Sequence, residues 1–176
     1  MSIEQLRNTL PEYAKDIKLN LSQVMTEEGA PDLNQKQINM IALAVAYATK
    51  NRDVINSISK ETASQLAENE VQAAKAAATI MAMNNIYYRF VHLVEDKTYA
   101  TMPAKLRMSV IGNHGIDKKD FELICLAVST INGCGMCIEA HTHALIKEGV
   151  SQLAIQSAVR IAAVLNATAM GLVIGS

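Results

Sequence analysis

Apolar residues recur along the chain at helical spacing. Tyr13, Ile17, Leu21, Val24 and Met25 form one such series, and Ile38, Ile41, Val45 and Ala48 another. The pattern predicts a short helix over residues 3–9. Pro11 then suits the first turn of the next helix, where its missing N–H costs nothing. Glu27 to Asp32, with Gly29 and Pro31, reads as a loop. Asn34 followed by Gln37 has the form of a capping box opening a helix to about Lys50. A further helix is predicted over 52–67 and a long Ala-rich one from Glu70 to about Asp96, with a break at Thr101 to Pro103. Ile111 to Ile116 is a turn, since Gly112, Asn113 and Gly115 all tolerate positive φ. Asp117 caps a helix running to about Ile131, which Asn132-Gly133 ends. Cys134 starts the next helix, Gly149 closes it, and Ser151 caps the last.

The pattern echoes itself. Ile41-Ala42-Leu43-Ala44-Val45 resembles Ile124-Cys125-Leu126-Ala127-Val128 at an offset of 83 residues, and Asn84 falls near Asn166. A two-fold repeat of helices is one reading of this; chance matching between Ala-rich segments is the other. If the repeat holds, Asn51, Val54 and Asn39 stand in the first half where Cys134, Cys137 and Glu122 stand in the second. The chemistry then belongs to residues 101–176, and residues 1–100 form a non-catalytic half of the same single domain.

Composition agrees with an all-α fold. Among 176 residues, Ala occurs 25 times, Pro three times and Trp never, and aromatic residues make up 4%. Ala is the best helix former, Pro the worst, and aromatics favour strands. Seven of the eight glycines lie after residue 111, so the first two thirds has few breakers. The net charge of -1 removes the basic signature of a nucleic-acid binder. No uninterrupted run of about 18 apolar residues suggests a membrane span. Met1 to Leu10 lacks the apolar core of a secretory signal, which makes the cytoplasm the expected compartment.

Three cysteines are present: Cys125, Cys134 and Cys137. An odd count without a signal peptide argues against a disulfide framework. Cys125 occupies an inward-facing apolar position and reads as a core thiol. Cys134-Gly135-Met136-Cys137 differs. Its CxxC spacing places two thiols at a helix start, where exposed N–H groups and the helix dipole favour a thiolate. His141 follows Cys137 by four residues and shares its helix face, positioned to act as a base or to stabilise a thiolate. His143 points about 200° away. Glu122 stands on an otherwise apolar stretch, either as a charge near the helix N-terminus or as a buried partner of His141 or the thiols. Three readings of the cluster remain open at this level: a redox pair, a metal site with Cys134, Cys137, His141 and Glu122 as ligands, and inert packing. The standard structural zinc pattern needs a second Cys/His pair, which the chain lacks.

These residues resemble a known family. Phe121-Glu122-Leu123, the run Ala127 to Cys134, then Cys137 and His141, look like the alkyl hydroperoxidase D (AhpD) proteins of the carboxymuconolactone decarboxylase-like superfamily. Leu10 to Leu21 reads like that family's N-terminal helix, and Lys105-Leu106-Arg107-Met108 with Ile111-Gly112-Asn113 like its pre-site segment. The resemblance implies an all-helical, trimeric antioxidant protein that reduces hydroperoxides and passes electrons to an AhpC-type peroxiredoxin. It implies dihydrolipoamide, carried on a 2-oxoacid dehydrogenase subunit, as electron donor. It makes Cys137 the peroxidatic thiol, which becomes a sulfenic acid, Cys134 the proton donor and resolving thiol, and Glu122 and His141 a proton relay. One departure stands out: the family's extra His directly before the second Cys is Met136 here.

The chemistry expected is thiol-dependent peroxide reduction with no bound cofactor, because no Gly-rich phosphate motif for NAD or FAD is present. Two alternatives stand beside it. One is a carboxymuconolactone decarboxylase-like enzyme, against which the intact Cys pair argues. The other is a redox-switched or metal-binding interaction protein without catalysis.

Overall fold

A computed structural model describes residues 1–175. Among the described residues there are nine α-helices and no strand. They are α1 (Ile3–Thr9), α2 (Lys15–Val24), α3 (Gln35–Thr49), α4 (Arg52–Thr62), α5 (Glu68–Leu93), α6 (Thr98–Thr101), α7 (Lys118–Asn132), α8 (Gly135–Lys147) and α9 (Gln152–Ile174). Short 3₁₀ turns at Glu12–Ala14 and Ser109–Gly112 precede α2 and α7.

Local chemistry sets most helix ends. At α3 the Asn34 side chain accepts the Gln37 N–H at 2.9 Å, and Gln37 in return accepts the Asn34 N–H at 3.1 Å. Ser2 and Gln5 make the same reciprocal pair at α1, a box the sequence reading did not single out. Asp117 accepts the Lys119 N–H at 2.8 Å to start α7, and Ser151 accepts the Ala154 N–H at 3.0 Å to start α9. Each cap satisfies an N–H that the first turn leaves without a partner.

α3 and α7 lie at the centre. α3 packs against α4, α5, α7 and α9; α7 packs against α3, α5, α8 and α9. Every residue of α3 from Ile38 to Ala46 is buried, as are Phe121 and Leu123 to Ser129 on α7. A helix surrounded on all sides needs no polar face. The predicted four-residue stripe of α3 is therefore too narrow, and its last member, Ala48, is only half-buried. The two halves share an element order, with α3, α4 and α5 spanning 15, 11 and 26 residues and α7, α8 and α9 spanning 15, 13 and 23.

Some sequence expectations shift. α4 ends at Thr62 rather than near 67, where the Thr62 carbonyl accepts the N–H of both Gln65 and Leu66 in a closing turn. α5 begins at Glu68 and ends at Leu93. Tyr13 is exposed in the 3₁₀ turn, outside the core stripe, with its hydroxyl donating to the Gly171 carbonyl. In the turn before α7 only Gly115 adopts positive φ, at 77°. Gly112 does not, and Asn113 has φ −135°. By mean hydropathy α9 is long and apolar enough to cross a membrane, although polar residues interrupt it; half of its most apolar window is buried inside the molecule.

Candidate active site

The site forms where α7 turns into α8. Gly133 adopts φ +68°, the left-handed region that a side chain disfavours, and this reverses the chain within one residue. The Cys134 N–H donates to the Ser129 carbonyl at 3.2 Å across the turn. α5 pins the turn from the side. The Arg89 guanidinium donates to the Asn132 carbonyl at 2.7 Å, and the Asn132 amide donates to Asn85 Oδ1 at 2.9 Å. Asn85 in turn donates to Ser129 Oγ at 2.9 Å. This chain of bonds fixes where α8 starts.

Cys134 takes the N-cap position of α8, and its Sγ accepts the Cys137 N–H at 3.3 Å. Asn51 caps α4 in the same way with its side-chain oxygen. Cys134 and Cys137 are joined as a disulfide, with 5.3 Å between Cα atoms. The two sulfurs are not equivalent. Both are buried, Cys134 at 0% and Cys137 at 6% exposure, but Cys137 lines a cavity of about 270 Å³ together with Met81, Asn84, Tyr88, Met108, Ile111, Met136, Ala140 and His141. Cys137 Sγ lies 4.0 Å from the Asn84 carbonyl oxygen.

One helical turn beyond Cys137, His141 Nδ1 is 2.7 Å from Glu122 Oε2, linking α8 to α7. Both side chains are largely buried, 14% and 16% exposed. An ionised carboxylate only accepts, so Nδ1 carries the proton and Nε2 is left to gain or release one. Nε2 lies 3.4 Å from Met81 Sδ. A thioether only accepts, and weakly, so it gives Nε2 an acceptor when the imidazole is charged and no competing donor when it is neutral. In this disulfide form His141 and Cys137 line the same cavity, with Met81 beside the imidazole.

The four sequence-predicted residues are thus brought together. Of the two readings of Glu122, the buried-partner one holds. His143 is exposed on the other side of α8. Cys125 is a core thiol, and burial first, then the nearby charge of Glu122, raises its pKa well above the ordinary value. A thiol kept protonated in this way is inert. No group of three His, Cys, Asp or Glu side chains disposed to hold a metal ion occurs among the described residues. The thiols pair with each other and Glu122 pairs with His141. Sequence reasoning missed Met81, Asn84, Tyr88 and Met108. The first three recur at i, i+3 and i+7 on α5, which is the spacing of one helix face.

Fold and site together define an all-helical thiol–disulfide protein whose redox pair sits at a helix start beside a buried His–Glu pair. The profile of the carboxymuconolactone decarboxylase family matches residues 97–170, which include all four of these residues. Relatives named alkyl hydroperoxide reductase AhpD match over nearly the whole chain, three of them as follows. The protein from Coxiella burnetii is 58% identical over 167 residues, covering 95% of this chain and 94% of its own. That from Rhodopseudomonas palustris is 51% identical over 176 residues, 100% of this chain and 96% of its own. That from Azorhizobium caulinodans is 51% identical over 172 residues, 98% and 93% of the two chains. The chain belongs to the AhpD family.

Proposed function

We propose that this protein is a thiol-dependent alkyl hydroperoxide reductase whose working pair is Cys134 and Cys137. The observation that carries the reading is the asymmetry of the disulfide: Cys137 lines the cavity that His141 also lines, while Cys134 caps the helix behind it. In the reduced form Cys137, as thiolate, attacks the hydroxyl-bearing oxygen of the peroxide. The O–O bond breaks, Cys137 becomes a sulfenic acid, and the alkoxide takes a proton from the Cys134 thiol. Cys134 thiolate then attacks the sulfenic sulfur, forming the disulfide, and the departing hydroxide leaves as water with the proton that His141 had removed from Cys137. His141 takes the Cys137 proton through the cavity, and Glu122 holds the ring and stabilises its charged form.

An external dithiol closes the cycle by exchange at Cys137, the sulfur on the cavity side, with Cys134 as leaving thiol. Dihydrolipoamide on a 2-oxoacid dehydrogenase subunit is the proposed donor, with no bound cofactor. An AhpC-type peroxiredoxin is the proposed partner that receives electrons, in the cytoplasm. The cavity wall supports a lipoyl donor: Met81, Met108 and Met136 offer an adaptable apolar surface suited to a hydrocarbon arm.

The proposed assembly is a homotrimer. Ile86, Phe90 and Leu93 recur at i, i+4 and i+7 on α5 and are 65%, 48% and 70% exposed. Tyr99 meets Phe90 edge-on at 5.1 Å, and Met102 extends the same chain segment with its side chain exposed. A contiguous apolar patch of this kind marks an interaction surface.

Titration of free thiols in denaturant tests the catalytic reading. The reduced chain has three; peroxide should leave one, and a dithiol should restore three. Retention of three thiols under excess peroxide would contradict it.

A further inference from the structure

Met108 and Ile111 form one wall of the cavity at Cys137. Met108 ends a stretch, residues 103–108, that is neither helix nor strand. Exposure alternates along it: Ala104, Leu106 and Met108 are half-buried, while Lys105 and Arg107 are exposed. Consecutive Cα atoms are about 3.8 Å apart, so Arg107 adjoins the wall and Lys105 lies within about 11 Å of Met108. Neither cation has a carboxylate partner among the described residues, whereas Arg7, Lys36 and Lys118 each have one. From Lys97 to Ile116 the sequence holds Lys97, Lys105 and Arg107 and no Asp or Glu, although acids outnumber bases 17 to 16 in the whole chain. Lys105 also adopts φ 53°, in the left-handed region that favours glycine. A long cationic side chain is thus held at a backbone cost, and strained residues of this kind cluster at functional sites.

We propose that Lys105 and Arg107 dock the protein that carries the reducing dithiol, through an acidic patch on its surface beside the dithiol arm. The arm is an uncharged hydrocarbon ending in sulfur, so it does not steer its carrier. Two unpaired cations next to the cavity wall supply that steering: complementary charge raises the rate of encounter and fixes orientation more than it adds affinity. The Arg107 guanidinium offers a planar fork of donors that matches a carboxylate, and Lys105 a mobile point charge. Glu139, exposed on α8 next to the lining residue Ala140, repels the same patch and turns it toward the 105–107 side. A small uncharged hydroperoxide gains nothing from these charges. The disulfide form seen here is the state that the donor meets, and it already presents both cations. The inference rests on dithiol exchange at Cys137 and adds to it the surface that brings the dithiol there.

The test measures reduction of the full-length disulfide form by three donors: an isolated lipoyl domain bearing dihydrolipoyl-lysine, free dihydrolipoamide and dithiothreitol. The last two are uncharged. With wild type, the second-order rate constant for the lipoyl domain should fall steeply between about 0.01 and 1 M salt, as the Debye length shrinks from about 30 to 3 Å; the small donors should barely respond. Lys105→Glu/Arg107→Glu should slow the lipoyl domain about tenfold or more at low salt and leave both small donors within about twofold. Lys105→Gln/Arg107→Gln should fall between and flatten the salt dependence, while Lys105→Arg/Arg107→Lys should keep most of the rate. A charge-reversed chain with the wild-type lipoyl-domain rate overturns the proposal. So does equal slowing with all three donors, or a loss confined to electron transfer to the peroxiredoxin. If the charge-reversed chain does not fold, the Gln pair and the wild-type salt dependence decide: a lipoyl-domain rate indifferent to both overturns it. A wild-type disulfide that dithiothreitol reduces and the lipoyl domain does not overturns the lipoyl reading, and the docking surface with it.

Discussion

Glu122→Gln is the perturbation that tests the His141–Glu122 pair most sharply. The substitution keeps the shape and removes the charge 2.7 Å from His141 Nδ1. With both side chains about six-sevenths buried, water replaces little of what is lost. A hydrogen bond to a charged group is worth about 1.5–3 kcal/mol, so losing it where the imidazole becomes charged corresponds to about a 10- to 150-fold fall in rate. The assay is stopped-flow loss of thiols against tert-butyl hydroperoxide, with dithiothreitol reduction of the disulfide as a second readout. The peroxide step should fall by that factor. The double variant Glu122→Gln/His141→Gln should fall no further than His141→Gln alone, because the two act as one unit. A wild-type peroxide rate in Glu122→Gln, or additive losses in the double variant, would refute the relay.

Met136→Ala should impair reduction by dihydrolipoamide more than reaction with a small peroxide, because a thioether moves no proton but contacts a hydrocarbon arm; equal losses would argue against a docking role. Burial works against ionisation of Glu70, yet the Ala67 N–H at 2.8 Å and Lys36 at 3.0 Å bring its pKa below the ordinary 4.5. Its folded pKa is thus depressed, so its stabilisation is present above pH 4.5 and lost as pH falls through the folded value. Urea midpoints of wild type and Glu70→Gln should differ near neutrality and converge in acid; a constant difference would contradict this. Sedimentation should show a trimer that Leu93→Asp, on the exposed α5 face, shifts toward monomer; a wild-type monomer at micromolar concentration would exclude the proposed assembly.

What was legible in the sequence was what local chemistry decides. Asn34 with Gln37, Asp117, Ser151 and Gly133 each act within a few residues of themselves, so their helix ends follow from spacing alone. The Cys134–Cys137–His141 cluster is equally local, one helix start and one turn. Glu122 was within reach because the Gly133 turn forces α7 and α8 side by side. Other features depend on tertiary packing. Nothing near Met81 or Asn84 says that α5 will meet α8, because the residues that join these helices lie 53 and 60 positions apart. The burial of α3 on every face is likewise a property of its four neighbours, which a periodicity argument does not count. The early end of α4 reflects the Thr62 closing turn, a boundary that Ala63 does not announce.

The central claim is that Cys137 oxidises first and Cys134 resolves it. The most direct measurement is mass-spectrometric trapping of sulfenic acid after peroxide treatment of the two single variants. The helix dipole alone favours Cys134, by about 0.3–1 kcal/mol. A placed base contributes about 10²–10⁴-fold, and the cavity opens on Cys137. Cys134→Ser should accumulate the trapped adduct at Cys137, while Cys137→Ser should be nearly unreactive. An adduct at Cys134 in Cys137→Ser, formed at the wild-type rate, would contradict the account.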